Sequence, residues 1–303
     1  MDSNEQDQKD RLKIWMRWLN MDFQGNYEQC KRKIRLFYEQ LKQDSWQDDH
    51  PLSTSPTNPW VIRKKLSKMR EDIVMDSHRV FLESDFFCLP HIQRILQEVC
   101  YVWSKNSFLG YQQGMLYILG VVVYVVYNSL NSDFYSDSFM IFDRIMKAGL
   151  WKLFIQKTSE FRKICDRIVY VWLKLIDIEF FILIDRQNID VSIFIMKWLR
   201  CMFAREFFFN EVLHAWDLIF STESQEKFLM MEFIALAMLI WTRDTVFCEP
   251  HEILTSISRV NFKGQSGRIF QLATDCMKYC YLNEYKYKPF LPPLPQNSRI
   301  VRV

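Results

Sequence analysis

The chain has 303 residues, 49% of them hydrophobic and 16% aromatic, enough to bury the core of one large domain or two modest ones, which excludes a largely disordered protein. Its 39 basic and 36 acidic residues are interspersed and leave a net charge of +3, a balance that gives no reason to expect nucleic-acid binding. Only 7 residues are glycine, about 2% against a usual share of about 7%, which argues against glycine-rich phosphate loops and turn-dense β architecture and favours long helices.

The N-terminal MDSNEQDQKDRLK is charged and lacks the apolar segment of a secretory signal, so a cytoplasmic, non-secreted protein is expected. Residues 11–44 read as helical in two pieces on either side of Gly25, the second with Ile34, Phe37, Tyr38 and Leu41 on one stripe. Residues 45–59 form a polar loop carrying Pro51, Pro56 and Pro59. A helix then runs from about Trp60 with Leu66, Met69, Ile73 and Val74 inward, and should break near Asp76 to His78. Residues 89–104 repeat the helical spacing with Ile92, Ile95, Leu96, Val99, Val102 and Trp103.

Gly110 to Met115 read GYQQGM and lead into Met115–Tyr127, the longest apolar run. At 13 residues it is too short to span a bilayer. Its valines favour strand, but the length of the stretch predicts a buried core helix. Residues 136–149 begin with N-cap residues and end on Gly149, a plausible C-cap. Further helical patterns occupy 158–178, 190–203, 209–221, 227–242 and 265–281, and a proline-rich tail follows Pro289. In that tail PFLPPLP reads as chain packed over the domain, with a polyproline II ligand as the other option. No segment alternates strictly enough to build a sheet, and there is no internal repeat. The expected fold is all-α, with one or two bundled subdomains and no obvious linker.

Most ordinary chemistries find no foothold. There is no GxxxxGK[ST] loop, and GQSG at 264–267 is a lone GxxG that reads as a turn. Cysteines at 30, 88, 100, 165, 201, 248, 276 and 280 are scattered, mostly on apolar helical faces, and are expected to be reduced core residues. Cys276 and Cys280 have no second pair at zinc spacing, and the histidines at 50, 78, 91, 214 and 251 form no HxxxH, so no metal site is expected. Asp48–Asp49 and Glu71–Asp72 read as solvated carboxylates. The chain shows no self-contained active site.

Two short segments remain. IVMDSHR, Ile73 to Arg79, places an apolar anchor, then Asp76, then Arg79 at three-residue steps. An arginine at a helix end, oriented by an aspartate, offers five donors in a fixed fork suited to phosphate oxygens. A surface ion pair is the plainer alternative. YQQG, Tyr111 to Gly114, would let Gly114 turn the backbone and present the Gln113 amide outward. A polar cap before a core helix is the alternative there.

In this order the two segments resemble the IxxDxxR and YxQG motifs of the TBC domain, a helical family that accelerates GTP hydrolysis by Rab-type small GTPases. The resemblance extends over roughly residues 12–285. HPLS…W at 50–60 looks like the loop ahead of the family's arginine helix, and FLESDFF at 81–87 follows the arginine as expected. MKWLRCMFAREF…VLHAWDLIF at 196–220 is similar to a third conserved block, matching it at Trp198, Arg200, Arg205, Glu206, Phe207, Trp216 and Asp217. It implies an all-α, multi-helix fold of two packed subdomains, 12–157 carrying both motifs and 158–288 following, with 289–303 as the tail.

The resemblance also implies a mechanism. Phosphoryl transfer to water needs charge neutralised on the transferring phosphate and an oriented attacking water. Carried over, Arg79 is an arginine finger and Gln113 a glutamine finger, both supplied in trans to a Rab-type GTPase. Asp76 orients Arg79, Tyr111 and Gly114 shape the glutamine loop, and Ile73 anchors the helix. No cofactor of the chain's own is implied, since GTP and magnesium belong to the partner. Arg205 and Glu206 should pair with other buried charges, while Trp198 and Trp216 fill core.

The chain departs from the family pattern at Ser77, usually apolar, at Val80–Phe81–Leu82, usually Thr or Thr-x-Pro, and at Leu116, usually Asn, Ser or His. These changes keep a second reading open: a TBC-fold scaffold within a larger assembly, with catalysis weakened or lost. No nucleic-acid partner and no direct membrane insertion are expected. Recruitment to an organelle surface or to a cytoskeletal or ciliary assembly stays open.

Overall fold

The computed structural model describes residues 3–21, 27–46, 59–129, 133–155, 159–224, 226–248 and 252–287. Every regular element among them is helical. The chain divides into two compact units, the first ending at Phe154 and the second beginning at Ile155. Residues 47–58 of the proline-bearing loop, with the HPLS segment, and the tail from 288 onward lie outside the described residues.

The first unit contains α1 (Ser3–Trp18), α2 (Tyr27–Trp46), α3 (Pro59–Ser77), the single turn α4 (Asp85–Cys88), α5 (Pro90–Lys105), α6 (Met115–Tyr127), α7 (Phe134–Lys147) and a 3₁₀ turn at Leu150–Phe154. The apolar run is a helix, α6, and α1, α3, α5 and α7 all pack against it. A helix that is apolar all round belongs in the middle of a bundle. Its valines find helices on every side and no neighbouring strand to pair with, so strand propensity loses to context.

Polar contacts fix how the outer helices sit. Arg70 of α3 stacks on Trp46 at 4.6 Å and on Tyr101 of α5 at 4.4 Å, and donates to the Tyr101 hydroxyl at 2.8 Å. Glu98 of α5 accepts from Tyr38 at 2.9 Å and pairs with Lys42 at 2.7 Å, both on α2. The predicted inward stripes are narrower than expected. Phe37 is 51% exposed and Val74 is 40% exposed. Tyr38 and Ile73, one residue away from each, take the core-facing positions, and consecutive helical residues lie about 100° apart.

Gly120 decides how closely the segment after α3 approaches α6. A Cβ there would stand 2.9 Å from Val80 Cγ1, 3.3 Å from Phe81 Cε2 and 3.4 Å from Phe87 Cε1. Val80 and Phe81 are buried, and Phe81 adopts the left-handed φ of 46° that reverses the chain over this seat.

The second unit begins with α8 (Ser159–Asp166), which runs on through a π-helical stretch at Arg167–Leu173 into α9 (Lys174–Ile176). Then come α10 (Ile178–Arg186), α11 (Ser192–Arg200), α12 (Phe209–Ser221), α13 (Leu229–Trp241), α14 (Arg243–Cys248), α15 (Ile253–Arg259) and α16 (Ser266–Tyr287). Apolar α13 is this unit's buried helix and packs on α16. Its buried Glu232 accepts from Arg167 Nε at 2.8 Å, from Arg167 Nη2 and from Trp172 Nε1 at 3.2 Å, so the charge is paired and its oxygens are bonded.

Two expected boundaries move. The helix read as 158–178 ends at Ile176, because the Asp177 side chain accepts from Phe180 N at 3.0 Å and caps a new helix. The helix read as 190–203 covers only 192–200, because Met202 and Phe203 take positive φ and Trp216 Nε1 donates to Met202 O at 3.1 Å. Trp198 and Trp216 fill core as expected. Glu206 is largely covered but pairs at 3.1 Å with Lys197, which is about half exposed, and Arg205 is itself exposed, so the expected pairing with other buried charges gives way to a partner near solvent.

GQSG is the predicted turn. Glu211 accepts from Phe208 N, Gly264 N and Ser266 Oγ at 2.9, 3.0 and 2.7 Å, occupying donors that a phosphate would need. Burial opposes ionisation of Glu211, but these hydrogen bonds outweigh it and hold the carboxyl below the usual range.

Two outcomes test this packing. Gly120→Ala should destabilise the protein by up to about 2 kcal/mol in urea titration. The gain of about 1 kcal/mol in helix propensity is smaller than the overpacking cost of about 1–3 kcal/mol, because stiff, β-branched Val80 cannot swing aside. Glu211→Gln should cost about 1–3 kcal/mol at neutral pH by leaving buried donors short of a partner. A depressed folded pKa gives stability that is present above the unfolded value, about 4.3, and lost as pH falls through the folded value. The gap between wild type and variant should therefore close as urea titrations move from pH 7 down past that window.

Candidate functional site

The site is built where α3 ends. Ser77 closes the helix by bonding its own hydroxyl to Val74 O at 2.8 Å, and that hydroxyl also accepts from Gln97 Nε2 at 2.9 Å. Gln93 Nε2 donates to Ser77 O at 3.0 Å and to Phe87 O at 2.6 Å. Gln93 thus satisfies carbonyls that helix C-termini leave without partners, and Gln97, four residues on along α5, holds the Ser77 hydroxyl. The chain beyond then turns tightly, with Arg79 N donating to Asp76 O at 3.0 Å.

Asp76 links the two motifs. Its Oδ2 accepts from the Tyr111 hydroxyl at 2.7 Å, across 35 residues of chain. Its Oδ1 lies 3.4 Å from Arg79 Nη1, with the arginine side chain 62% exposed. Burial, together with nearby Cys100 and the Asp76 carboxylate, holds the Tyr111 phenol well above its ordinary pKa, so it stays a donor. A second tie runs from the Tyr117 hydroxyl to Arg79 O at 3.1 Å. Ile73, the apolar anchor of the arginine segment, is buried.

The glutamine loop is turned by glycines. Gly110 has φ 64° and Gly114 has φ 104°, both in the left-handed region that side chains avoid. Gly114 is the N-cap of α6, and Gln112 helps close the turn, its side chain donating to Leu109 O at 3.2 Å and its carbonyl accepting from Met115 N at 3.2 Å. Gln113 faces solvent and has no side-chain hydrogen bond to the described residues.

All six residues expected at the site, Ile73, Asp76, Arg79, Tyr111, Gln113 and Gly114, lie within the first unit on the joined ends of α3 and α6. The three departures from the motifs are structurally absorbed. Ser77 is buried and doubly bonded, Val80 is buried against Gly120, and Leu116 is a core residue of α6. Pattern reading missed Gln93, Gln97, Tyr117 and Gly120. The signal available for the last was a lone glycine inside an apolar run. Among the described residues no group of three or more His, Cys, Asp or Glu side chains is placed to hold a metal ion.

Tyr111→Phe should lower stability by about 1.5–3 kcal/mol, the range for a hydrogen bond to a charged group. Amide hydrogen exchange should quicken at residues 110–114 and 79–81 together; acceleration confined to one segment would mean that the loops are not tied.

Residues 8–247 match the family model for the Rab-GTPase-TBC domain. Human TBC1 domain family member 13 is 28% identical over 163 residues, covering 50% of this chain and 40% of that protein. Human TBC1 domain family member 5 is 23% identical over 250 residues, 67% of this chain and 31% of the relative. The matched stretches span less than half the length of either relative. The crystal structure of the Ypt/Rab-GAP domain of Gyp1p superposes with a TM-score of 0.73 at 16% identity, covering 92% of this chain and 93% of that one. The Chlamydomonas flagellar RabGAP TBC domain gives a TM-score of 0.53, also at 16% identity, over 89% of this chain and 96% of that chain. The fold is that of these domains, and the chain belongs to the Rab-GTPase-TBC domain family.

Proposed function

We propose that this chain is an active GTPase activator for a Rab-type small GTPase, inserting Arg79 toward the transferring phosphate while Gln113 orients the attacking water. The observation that carries this reading is the Asp76–Tyr111 hydrogen bond, which joins the two motif loops and leaves Arg79 and Gln113 facing solvent. Arg79 is held at its backbone by Tyr117 and only loosely at its side chain by Asp76, so the guanidinium can leave the carboxylate for a phosphate. An exposed ion pair of this kind is worth about 0–1 kcal/mol, a small cost for release. Asp76 positions; Arg79 and Gln113 touch the reacting atoms of the partner's nucleotide.

The scaffold alternative drew its force from the departures at Ser77, Val80 and Leu116. Each is buried and packed or hydrogen-bonded, and none displaces Arg79 or Gln113 from the surface, which favours the catalytic reading.

Single-turnover GTP hydrolysis by a panel of Rab-type GTPases is the test. Wild type should accelerate at least one of them, and Arg79→Ala should lose on the order of 10³-fold or more, the range known for arginine fingers. Arg79→Lys should fail to restore the rate, because a point charge cannot replace the planar fork. Gln113→Ala should cost a comparable factor. A panel-wide absence of acceleration by folded wild type sinks the proposal.

A further inference from the structure

The end of α3 remote from Arg79 carries a second surface. Trp60, Val61, Lys64, Lys65 and Lys68 follow the i, i+1, i+4, i+5, i+8 spacing of one helix face, and all are exposed, Trp60 at 63% and Val61 at 60%. Arg63 stands beside them, also exposed. None of the four cations has a hydrogen-bond or ion-pair partner among the described residues, and no acid occurs in α3 before Glu71.

Helix energetics do not account for this arrangement. The helix macrodipole favours anions at the N-terminus, so four cations and no acid in the N-terminal half gain nothing from it. Core packing does not account for Trp60 and Val61, which face solvent. Exposed aromatic and β-branched side chains set among lysines make up a surface that lies on an anionic bilayer, rings at headgroup level and ammonium groups on the lipid phosphates and carboxylates. A bilayer uses both the charges and the apolar edge over one broad surface, and the even charge balance of the chain gives no independent sign of a nucleic-acid partner.

We propose that the N-terminal half of α3 docks the protein on an anionic membrane surface, with Lys64, Lys65 and Lys68 on the headgroups and Trp60 at the interface. The contact is peripheral, and no helix among the described residues is long and apolar enough to cross a membrane. Along α3 this surface lies from about 14 Å (Lys68) to about 26 Å (Trp60) from Ser77 at the Arg79 end, which it does not include. The proposal stands independently of GTPase activation.

The full chain is mixed with vesicles of phosphatidylcholine alone, or of two parts phosphatidylcholine to one part phosphatidylserine, and sedimented. Wild type should bind only the anionic vesicles, and raising salt from about 50 to about 500 mM should release it. Lys64→Gln/Lys65→Gln/Lys68→Gln should weaken partitioning on the order of 100-fold, about fivefold per lysine, whereas the matching arginine triple variant should bind within about twofold of wild type. Trp60→Ala should weaken binding about threefold to tenfold with the charge unchanged. All these side chains are exposed, and thermal unfolding checks that each variant is folded. Equal partitioning of wild type and the glutamine variant overturns the proposal. So does a wild type that ignores anionic vesicles at low salt, and charge-dependent retention on heparin beads in that case would assign the surface to an acidic macromolecule instead.

Discussion

The Asp76 carboxylate holds the candidate site together, and its two oxygens do different work. One takes a hydrogen bond at 2.7 Å from Tyr111, a phenol that burial keeps protonated, and so ties the start of α6 to the end of α3. The other faces Arg79 at 3.4 Å near solvent. Charge-assisted hydrogen bonds contribute most when shielded from water and least at the surface. Asp76 therefore anchors firmly on the scaffold side and weakly on the arginine side. The proposed role of Arg79, reaching into another protein's nucleotide site, would need that asymmetry: a tight anchor on Arg79 itself would have to be broken on every encounter.

The packing beneath the anchor gives the drifted residues their sense. With Val80 and Phe81 after the arginine, the loop is held by apolar burial, and the helix beneath must make room, which Gly120 does by carrying no side chain. With Leu116 in a position that faces the core, no side chain there bonds to the arginine loop. The Tyr117 hydroxyl, one residue on, supplies a bond to Arg79 O from the exposed side of the same helical turn. Ser77 replaces an apolar residue at the helix end, and Gln97 and Gln93 supply polar partners that keep its burial from leaving groups unsatisfied. The substitutions are mutually consistent, as a repacked supporting shell should be.

Much of this was legible in the residues. Scarce glycine, 3.6-residue spacing and the absence of alternation led to an all-helical chain, and both motifs fell on helix ends where their side chains emerge. What escaped was whatever depends on a partner distant in sequence. Phe37 and Val74 fit the stripe pattern by type, yet how wide a face a helix buries is decided by its neighbours. The break after Ile176 had a local signal in Asp177, an N-cap residue followed by apolar positions. The left-handed turn at Met202–Phe203 had none, because it is held by Trp216 from another helix. Gln93 and Gln97 read as ordinary polar positions until the end of α3 is placed over them.

α3 carries its charges against the sense of the macrodipole, with Arg63, Lys64, Lys65 and Lys68 in its N-terminal half and Glu71, Asp72 and Asp76 in its C-terminal half. Such a helix draws little stability from its own sequence. It is held from outside, by Arg70 stacked on Trp46 and Tyr101 in its middle and by the Gln93 amide on the Ser77 carbonyl at its end. Because tertiary contacts carry the helix, its exposed charges are freed from the pattern that would best suit the macrodipole. The acids lie in the C-terminal half, where Asp76 stands 3.4 Å from Arg79, and the cations lie in the N-terminal half, where they face outward. The reversed gradient makes one rigid helix present two surfaces of opposite character.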